Sequence, residues 1–454
     1  MEEQVPRRSE APPGSLNACN HCWSAMIQPN EQRPGATEAV QEFYERLPYP
    51  RPIDSLESYQ RLWQDAGRRR ADFHLHWPAA PHREDPSILV AGCGTSQAAK
   101  HAMRWPEAQV TGIDFSATSV RCTEELKKKY KLDNLQLHQL PVERAGELGT
   151  QFDQVVCTGV LHHLADPDAG LSALRDVMKP DGAMQLMVYA PYGRTGIYML
   201  QEFCRRLGIS ATDDGIRDLI TALKSLPAAH PLQPLLRDPD FRHEAALADA
   251  LLHPQDRAYS VPELFEFIEA NGLRFGRWVR QAPYSVHCGV VARLPQAPRM
   301  ARLPLAEQYA ALELFRGTMA RHSVIAYRND SSAARQAIDF SGEAWPDYVP
   351  VPMADTICIQ ERLPAGAAAV LINRTHTATD LINTIDSTEK RMFDAMDGQS
   401  SIGEIAKRVG ESSPKQSPLD RARAFFERLW WYDQVVFDAS RRRTTARVDG
   451  GTGQ

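Results

Sequence analysis

No apolar run in this 454-residue chain reaches the roughly 18 to 20 residues that a membrane-spanning helix needs. The opening MEEQVPRRSEAPPGS lacks the apolar core of a secretory signal, and eight cysteines scattered over so long a chain form no disulfide framework. A reducing, cytoplasmic setting follows as the expectation. Excess positive charge is lacking too: the formal net charge is -5, which argues against sequence-independent nucleic-acid binding. Internal repeats are absent. The second pair of ligands that Cys19-Asn20-His21-Cys22 would need for a metal site is also missing, since no other CxxC occurs, and no metal is expected. What remains is a soluble globular composition, 43% hydrophobic and 24% charged, long enough for about three units.

Most informative is Ser87 to Phe115, SILVAGCGTSQAAKHAMRWPEAQVTGIDF. It reads as a buried strand, a turn at Gly92-Cys93-Gly94-Thr95, a helix, and a second strand ending at Asp114. Gly92 and Gly94 allow a sharp backbone turn and close approach to a ligand. Asp114 falls about twenty residues past the turn, where a carboxylate can accept from ribose hydroxyls. The spacing predicts a nucleoside-containing cofactor.

Strands and helices continue to alternate from Asp85 to Leu294, so the predicted fold class is α/β, a doubly wound, mostly parallel sheet. Strand candidates at Arg274–Val279 and Val286–Ala292 would close it with an antiparallel edge. Ahead of this block, residues 1–35 read as a flexible arm and residues 36–84 as a helical flank or lid, broken at Pro48-Tyr49-Pro50-Arg51-Pro52. Tyr49 and Arg51 are candidates to face a substrate. A helical insertion is expected at 195–252, a linker with short strands at 295–380, a unit of three helices and a strand at 381–440, and a disordered tail at 441–454. That unit resembles a winged helix. Its third helix carries Phe425, Phe426, Leu429, Trp430 and Trp431, a stripe that suits a core rather than a DNA-reading face, so docking or self-association is preferred to nucleic-acid recognition. Arg316-Gly317-Thr318-Met319 and Arg321-His322 are unusual, with no role legible in the sequence.

The run VAGCGTS, the strand end GID, the segment FDQVVCTGVLHHL and the turn and strand MKPDGAMQLMVY, in that order, resemble a class I S-adenosylmethionine-dependent methyltransferase over residues 85–292. The pattern departs from the family's G-x-G-x-G in having Ser96 at the third glycine, while Gln97 takes the place where a dehydrogenase has glycine. The resemblance implies S-adenosylmethionine as cofactor. It places Ala91, Gly92 and Gly94 against the methionine end and ribose, Asp114 on the ribose hydroxyls and Phe115 on the adenine. At the adenine edge no acid falls in the family's expected place within Gln139-Leu140-Pro141-Val142-Glu143; backbone contacts from Leu140 or Val142 would substitute, or Glu143 would reach. Thr158 and Val160 would lie beside the methionine portion. His162 and His163 are candidate bases near the methyl group. Tyr189, Tyr192 and Arg194, with His253, Arg257 and Tyr259 opposite, are candidate substrate walls. The expected reaction is methylation of a small molecule. The alternatives are a protein or peptide substrate docked by the C-terminal unit, or a cofactor-binding regulator without turnover.

Overall fold

The computed structural model describes residues 36–331, 337–409 and 417–441. The arm at 1–35 with Cys19 and Cys22, and the tail from 442 onward, lie outside the described residues. Three helices come first: α1 (Ala36–Arg46), α2 (Glu57–Trp63) and α3 (Ala66–His76). The central block then runs β1 (Ser87–Ala91), α4 (Gln97–Arg104), β2 (Gln109–Asp114), α5 (Ala117–Tyr130), β3 (Leu135–Gln139), β4 (Phe152–Thr158), α6 (Pro167–Asp176) and β5 (Met178–Tyr189). The predicted insertion holds α7 (Thr195–Leu207), α8 (Asp213–Lys224) and α9 (Glu244–Leu252). After it come α10 (Val261–Ala270), β6 (Leu273–Trp278), α11 (Leu305–Arg316) and β7 (Arg321–Arg328).

Seven strands form one sheet in the order β3-β2-β1-β4-β5-β7-β6. Strands β3 to β5 are parallel; β7 runs antiparallel to both β5 and β6. Ile88, Leu89, Val90 and Ala91 are buried because β1 is covered by helices on both faces, the setting in which a strand reads as an unbroken apolar run. The strand order reverses direction between β1 and β4, so a crevice opens at their carboxyl ends, where ligands bind in such sheets.

The antiparallel edge departs from expectation in one respect. Residues Arg274–Val279 supply a strand as predicted, but Val286–Ala292 does not; β7, beyond the expected end of the sheet at Leu294, takes that place. Val286 and Val291 instead pack together against Leu312, a spacing incompatible with the two-residue alternation of a strand. Between them Gly289 has φ +62, donates its N–H to the Tyr432 hydroxyl and leaves no room for a Cβ beside Asp380. The segment is a docking turn for the C-terminal unit.

That unit contains β8 (Val349–Pro352), β9 (Thr356–Ile359), β10 (Ala369–Asn373), β11 (Ile382–Ile385), α12 (Ser387–Asp394), α13 (Ile402–Val409), α14 (Pro418–Trp431) and β12 (Val435–Asp438). β12 pairs with β8, and β11-β10-β9 form a separate antiparallel sheet. Phe425, Phe426 and Leu429 are buried in a core that also takes Phe340, Trp345, Tyr348 and Leu371, so the packing crosses the 380/381 boundary expected from the sequence. Further joints fix the unit to the rest. Arg70 and Arg68 of α3 pair with Asp438 and Asp355. The fully buried Asp433 accepts from Arg277, the N–H groups of Gln281 and Ala282, and His376.

Candidate functional site

One cavity of about 940 Å³ lies over the carboxyl ends of β1, β2, β4 and β5. Its floor is the glycine turn. Gly92 (φ +63) and Gly94 (φ +52) sit in the left-handed region, and a Cβ on Gly92 would stand 2.3 Å from Val160 Cγ2. The Gly94 N–H donates to Asp114 Oδ2 at 2.8 Å and the Ser116 N–H to Oδ1 at 2.9 Å. Burial raises the Asp114 carboxyl to about 6, against those two donors, which favour the ionised form. Each of its oxygens keeps a further lone pair for a diol. Phe115 lines the same end, its carbonyl held by Gln41 and Gln139. This cradle fits an adenosine: two glycines in the left-handed region, Gly92 with no room for a side chain, a buried carboxylate beside them, and an aromatic face next to it.

The helical flank covers this end. Glu45 accepts from the N–H groups of Ala117 and Thr118 and from the Thr118 hydroxyl, capping α5 from a distant part of the chain. Thr37, Val40, Tyr44, Tyr49 and Pro50 line the cavity, and the Thr95 hydroxyl donates to the Pro50 carbonyl at 2.6 Å. Of the two flank candidates, Tyr49 faces the cavity and donates to Asp240 at 2.6 Å; Arg51 is not among the lining residues.

Gly92, Gly94, Asp114, Phe115, Thr158 and Val160 all line the cavity. Ala91 and Leu140 are buried and do not; Pro141, Val142 and Glu143 stand in their place at the β3 end. Glu143 lines the cavity beside Val142, one residue beyond it along the chain.

The histidine pair is divided by the fold. His162 is fully buried, outside the cavity lining, its ring 3.9 Å from that of Tyr189, and burial together with neighbouring His163 drives it well below the usual imidazole range. It sits in the scaffold and does not reach the cavity. His163 lines the cavity; its Nδ1 meets the Gln255 carbonyl at 2.8 Å, which makes Nδ1 the proton-bearing nitrogen and turns an Nε2 lone pair outward. His253 stacks on His163 at 3.9 Å, and its Nδ1 accepts from the Gln255 N–H, leaving the proton on Nε2. The backbone of one residue therefore sets both tautomers. Buried Asp249, which accepts from the Tyr44 hydroxyl at 2.9 Å, completes a group of three whose ligand atoms lie within 4.8 Å of one another. A metal on His253 Nε2 would have to displace that proton from a ring whose other nitrogen is already an acceptor; the hydrogen bonding suits proton exchange better than a cation.

Among the substrate-wall candidates, Tyr189 and Arg194 line the cavity. The Arg194 guanidinium lies 3.4 Å over the Tyr189 ring and pairs with Asp256 at 3.1 Å. Tyr192 is partly exposed on the outer turn, and Tyr259 is buried against Phe267; neither lines the cavity, and Arg257 only covers Tyr259. Their exclusion follows from the β5 extension: Tyr259 N–H bonds the Tyr189 carbonyl, which carries its side chain into the core of α10. Asp249, Tyr44, Arg280, Arg316, Arg321 and the segment Thr375–Ala378 line the cavity without having been expected there. Arg316 and Arg321 fall in the two runs that stood out in the sequence without a legible role, and the others arrive from separate parts of the chain.

The sheet order and the glycine–aspartate cradle define a Rossmann-like domain built for a nucleoside cofactor. A family model described as "Methyltransferase domain" matches residues 89–184, so the chain carries a class I S-adenosylmethionine-dependent methyltransferase domain. An uncharacterized protein of Synechococcus sp. is 32% identical over 255 residues, 53% of this chain and 59% of that protein. A ubiquinone biosynthesis O-methyltransferase of Acinetobacter baylyi is 27% identical over 142 residues, 29% of this chain and 59% of the relative. The chain thus spans about three fifths of the length of these curated relatives. The structure of PKMT2 from Rickettsia typhi in complex with AdoHcy shares the fold, with TM-score 0.56 at 15% identity over 83% of this chain and 75% of that one.

Proposed function

We propose that the protein transfers a methyl group from S-adenosylmethionine to a small-molecule hydroxyl. The cofactor, when bound, supplies a sulfonium-activated methyl group. Asp114 would hold its ribose, Phe115 and Val142 its adenine, Glu143 the adenine amino group, and Gly92 and Gly94 the methionine portion. His163 Nε2, fixed by the Gln255 carbonyl, is positioned to take the hydroxyl proton as the oxygen becomes a nucleophile. Tyr44, Tyr49, Tyr189 and Arg194 close the region around it and keep bulk water out.

The observation that carries this reading is that the cradle, His163 and the insertion share one covered cavity. Its volume is near the upper end of the usual range for small-molecule sites, enough for a cofactor and a small acceptor together. The O-methyltransferase name of the A. baylyi relative supports oxygen as the acceptor atom. Incubation with radiolabelled S-adenosylmethionine and fractionated cell extract is the test. Label in low-molecular-weight products is expected; label in protein would replace this reading with a protein substrate, and AdoHcy binding without any transfer would indicate a regulator.

A further inference from the structure

At the end of the cavity away from the adenosine cradle, the lining changes sign. The acidic lining residues, Asp114, Glu143, Asp238, Asp240 and Asp249, all belong to the cradle and the insertion. The opposite wall carries Arg280, Arg316, Arg321 and His376, and no carboxylate. Arg316 is mostly buried. Its Nε donates to the Pro283 carbonyl at 2.7 Å and its Nη1 pairs with Asp380 at 3.2 Å, but Nη2 is buried with no partner among the described residues. An unpaired guanidinium N–H in such a place is costly unless a ligand satisfies it. Arg280 bonds Thr375 and the Val279 carbonyl; neither it nor Arg321 has a carboxylate within ion-pair distance among the described residues.

The backbone holds this wall against the reacting end. Arg321 is the register partner of Tyr189, and Ser323 of Met187, across the β5–β7 ladder. His322, between them, turns inward to Glu313 and Tyr284, so Arg321 and Ser323 share the opposite face. Gly193 packs where a Cβ would meet the Met319 backbone at 2.3 Å, which clamps the turn after β5 to the strand that carries Arg321. Thr375 and His376 arrive from the C-terminal unit, fixed by Asn373 and Asp433.

Resting on the methyl-transfer reading, we infer that the acceptor carries an anionic group, a carboxylate or a phosphate, bound by Arg316 Nη2, Arg321 and Arg280, and that the C-terminal unit completes this subsite through residues 375–378. Forked guanidinium donors suit the paired oxygens of either group. A net cationic end opposite an acidic one also sets the acceptor's direction: anion toward Arg321, hydroxyl toward His163.

Calorimetry on the full chain saturated with AdoHcy, with inorganic pyrophosphate as probe, tests the subsite. Saturable binding is expected, weakened at least tenfold in Arg321→Gln and in Arg316→Gln, with AdoHcy affinity changed by less than threefold. Arg321→Gln loses no ion pair, so its folding is not in question. Absence of saturable pyrophosphate binding, or equal binding by both variants, overturns the inference. Failure of wild-type AdoHcy binding is read separately and defeats the methyltransferase reading. In the labelled-extract experiment the product should be retained on anion exchange. Loss of retention after phosphatase identifies a phosphate, and persistence a carboxylate; a neutral product overturns the inference.

Discussion

His163 and His253 stack with ring centroids 3.9 Å apart, and the Gln255 backbone accepts from one ring through its carbonyl and donates to the other through its N–H. The pair therefore presents an open acceptor on His163 beside a proton-bearing nitrogen on His253. Replacing His163 with Asn should lower kcat by about 10²- to 10⁴-fold, the range for loss of a general base, with AdoHcy affinity unchanged. Steady-state kinetics alongside calorimetry checks it; a loss confined to KM would assign His163 to binding alone. His162→Asn should instead show its effect in thermal stability, because its ring packs in the core.

In the proposed ribose-holding role, Asp114 would link pH to cofactor affinity. Only the ionised carboxylate can accept from two ribose hydroxyls while accepting from Gly94 and Ser116. With its carboxyl at about 6, AdoHcy affinity should be full at pH 7.5 and fall by about tenfold per unit as pH drops below 6. The stability contribution of this group runs the other way. A folded-state value above the unfolded one of about 3.9 means that the fold binds the proton more tightly, so the ligand-free protein gains stability from Asp114 as pH falls from 6 toward 4. Calorimetry at several pH values for wild type and Asp114→Asn separates the two; a pH-independent wild-type affinity defeats the assignment.

Glu45 ties the helical flank to α5 through two backbone N–H groups and a hydroxyl. Glu45→Ala should cost about 1 kcal/mol of stability, the usual value for a lost N-terminal cap. It should also speed proteolysis within residues 36–50 and loosen AdoHcy binding. Limited proteolysis with and without AdoHcy measures this, and equal cleavage rates would show that the flank is held by packing alone.

Asp433 is fully buried between the C-terminal unit and the β6 edge, and it answers Arg277, His376 and two backbone N–H groups. Asp433→Ala leaves the buried Arg277 uncompensated and should cost about 3 to 5 kcal/mol. Thermal unfolding should show a lower Tm or a split transition as the two parts separate. A variant with an unchanged Tm would mean that water enters the joint freely.

Much of the glycine turn and its carboxylate partner was legible in the sequence because its determinants are local. A glycine turn after a buried strand, followed by a carboxylate at the next strand end, places Gly92, Gly94 and Asp114 together whenever that βαβ unit forms. The core stripe of Phe425, Phe426 and Leu429 could be read for the same reason, since helical periodicity depends on near neighbours. Strand β7 was harder, because Val286–Ala292 is at least as apolar and only its burial against Leu312 removes it from the sheet. Between the two adjacent histidines, the sequence offered no means of choosing.

Local pattern thus determined the Rossmann-like class, the cofactor cradle and the helical character of the insertion and the C-terminal unit, through forces acting within a few residues of chain. Tertiary packing decided the end of the cavity away from the glycine turn. Tyr44, Asp249 with His253, Arg316 with Arg321, and Thr375 come from four segments whose approach depends on long-range burial and on the Asp433 and Glu45 joints, and no spacing rule records such meetings. The same reason separates His163 from His162: the Gln255 peptide, ninety-two residues away along the chain, binds one ring and leaves the other to the core.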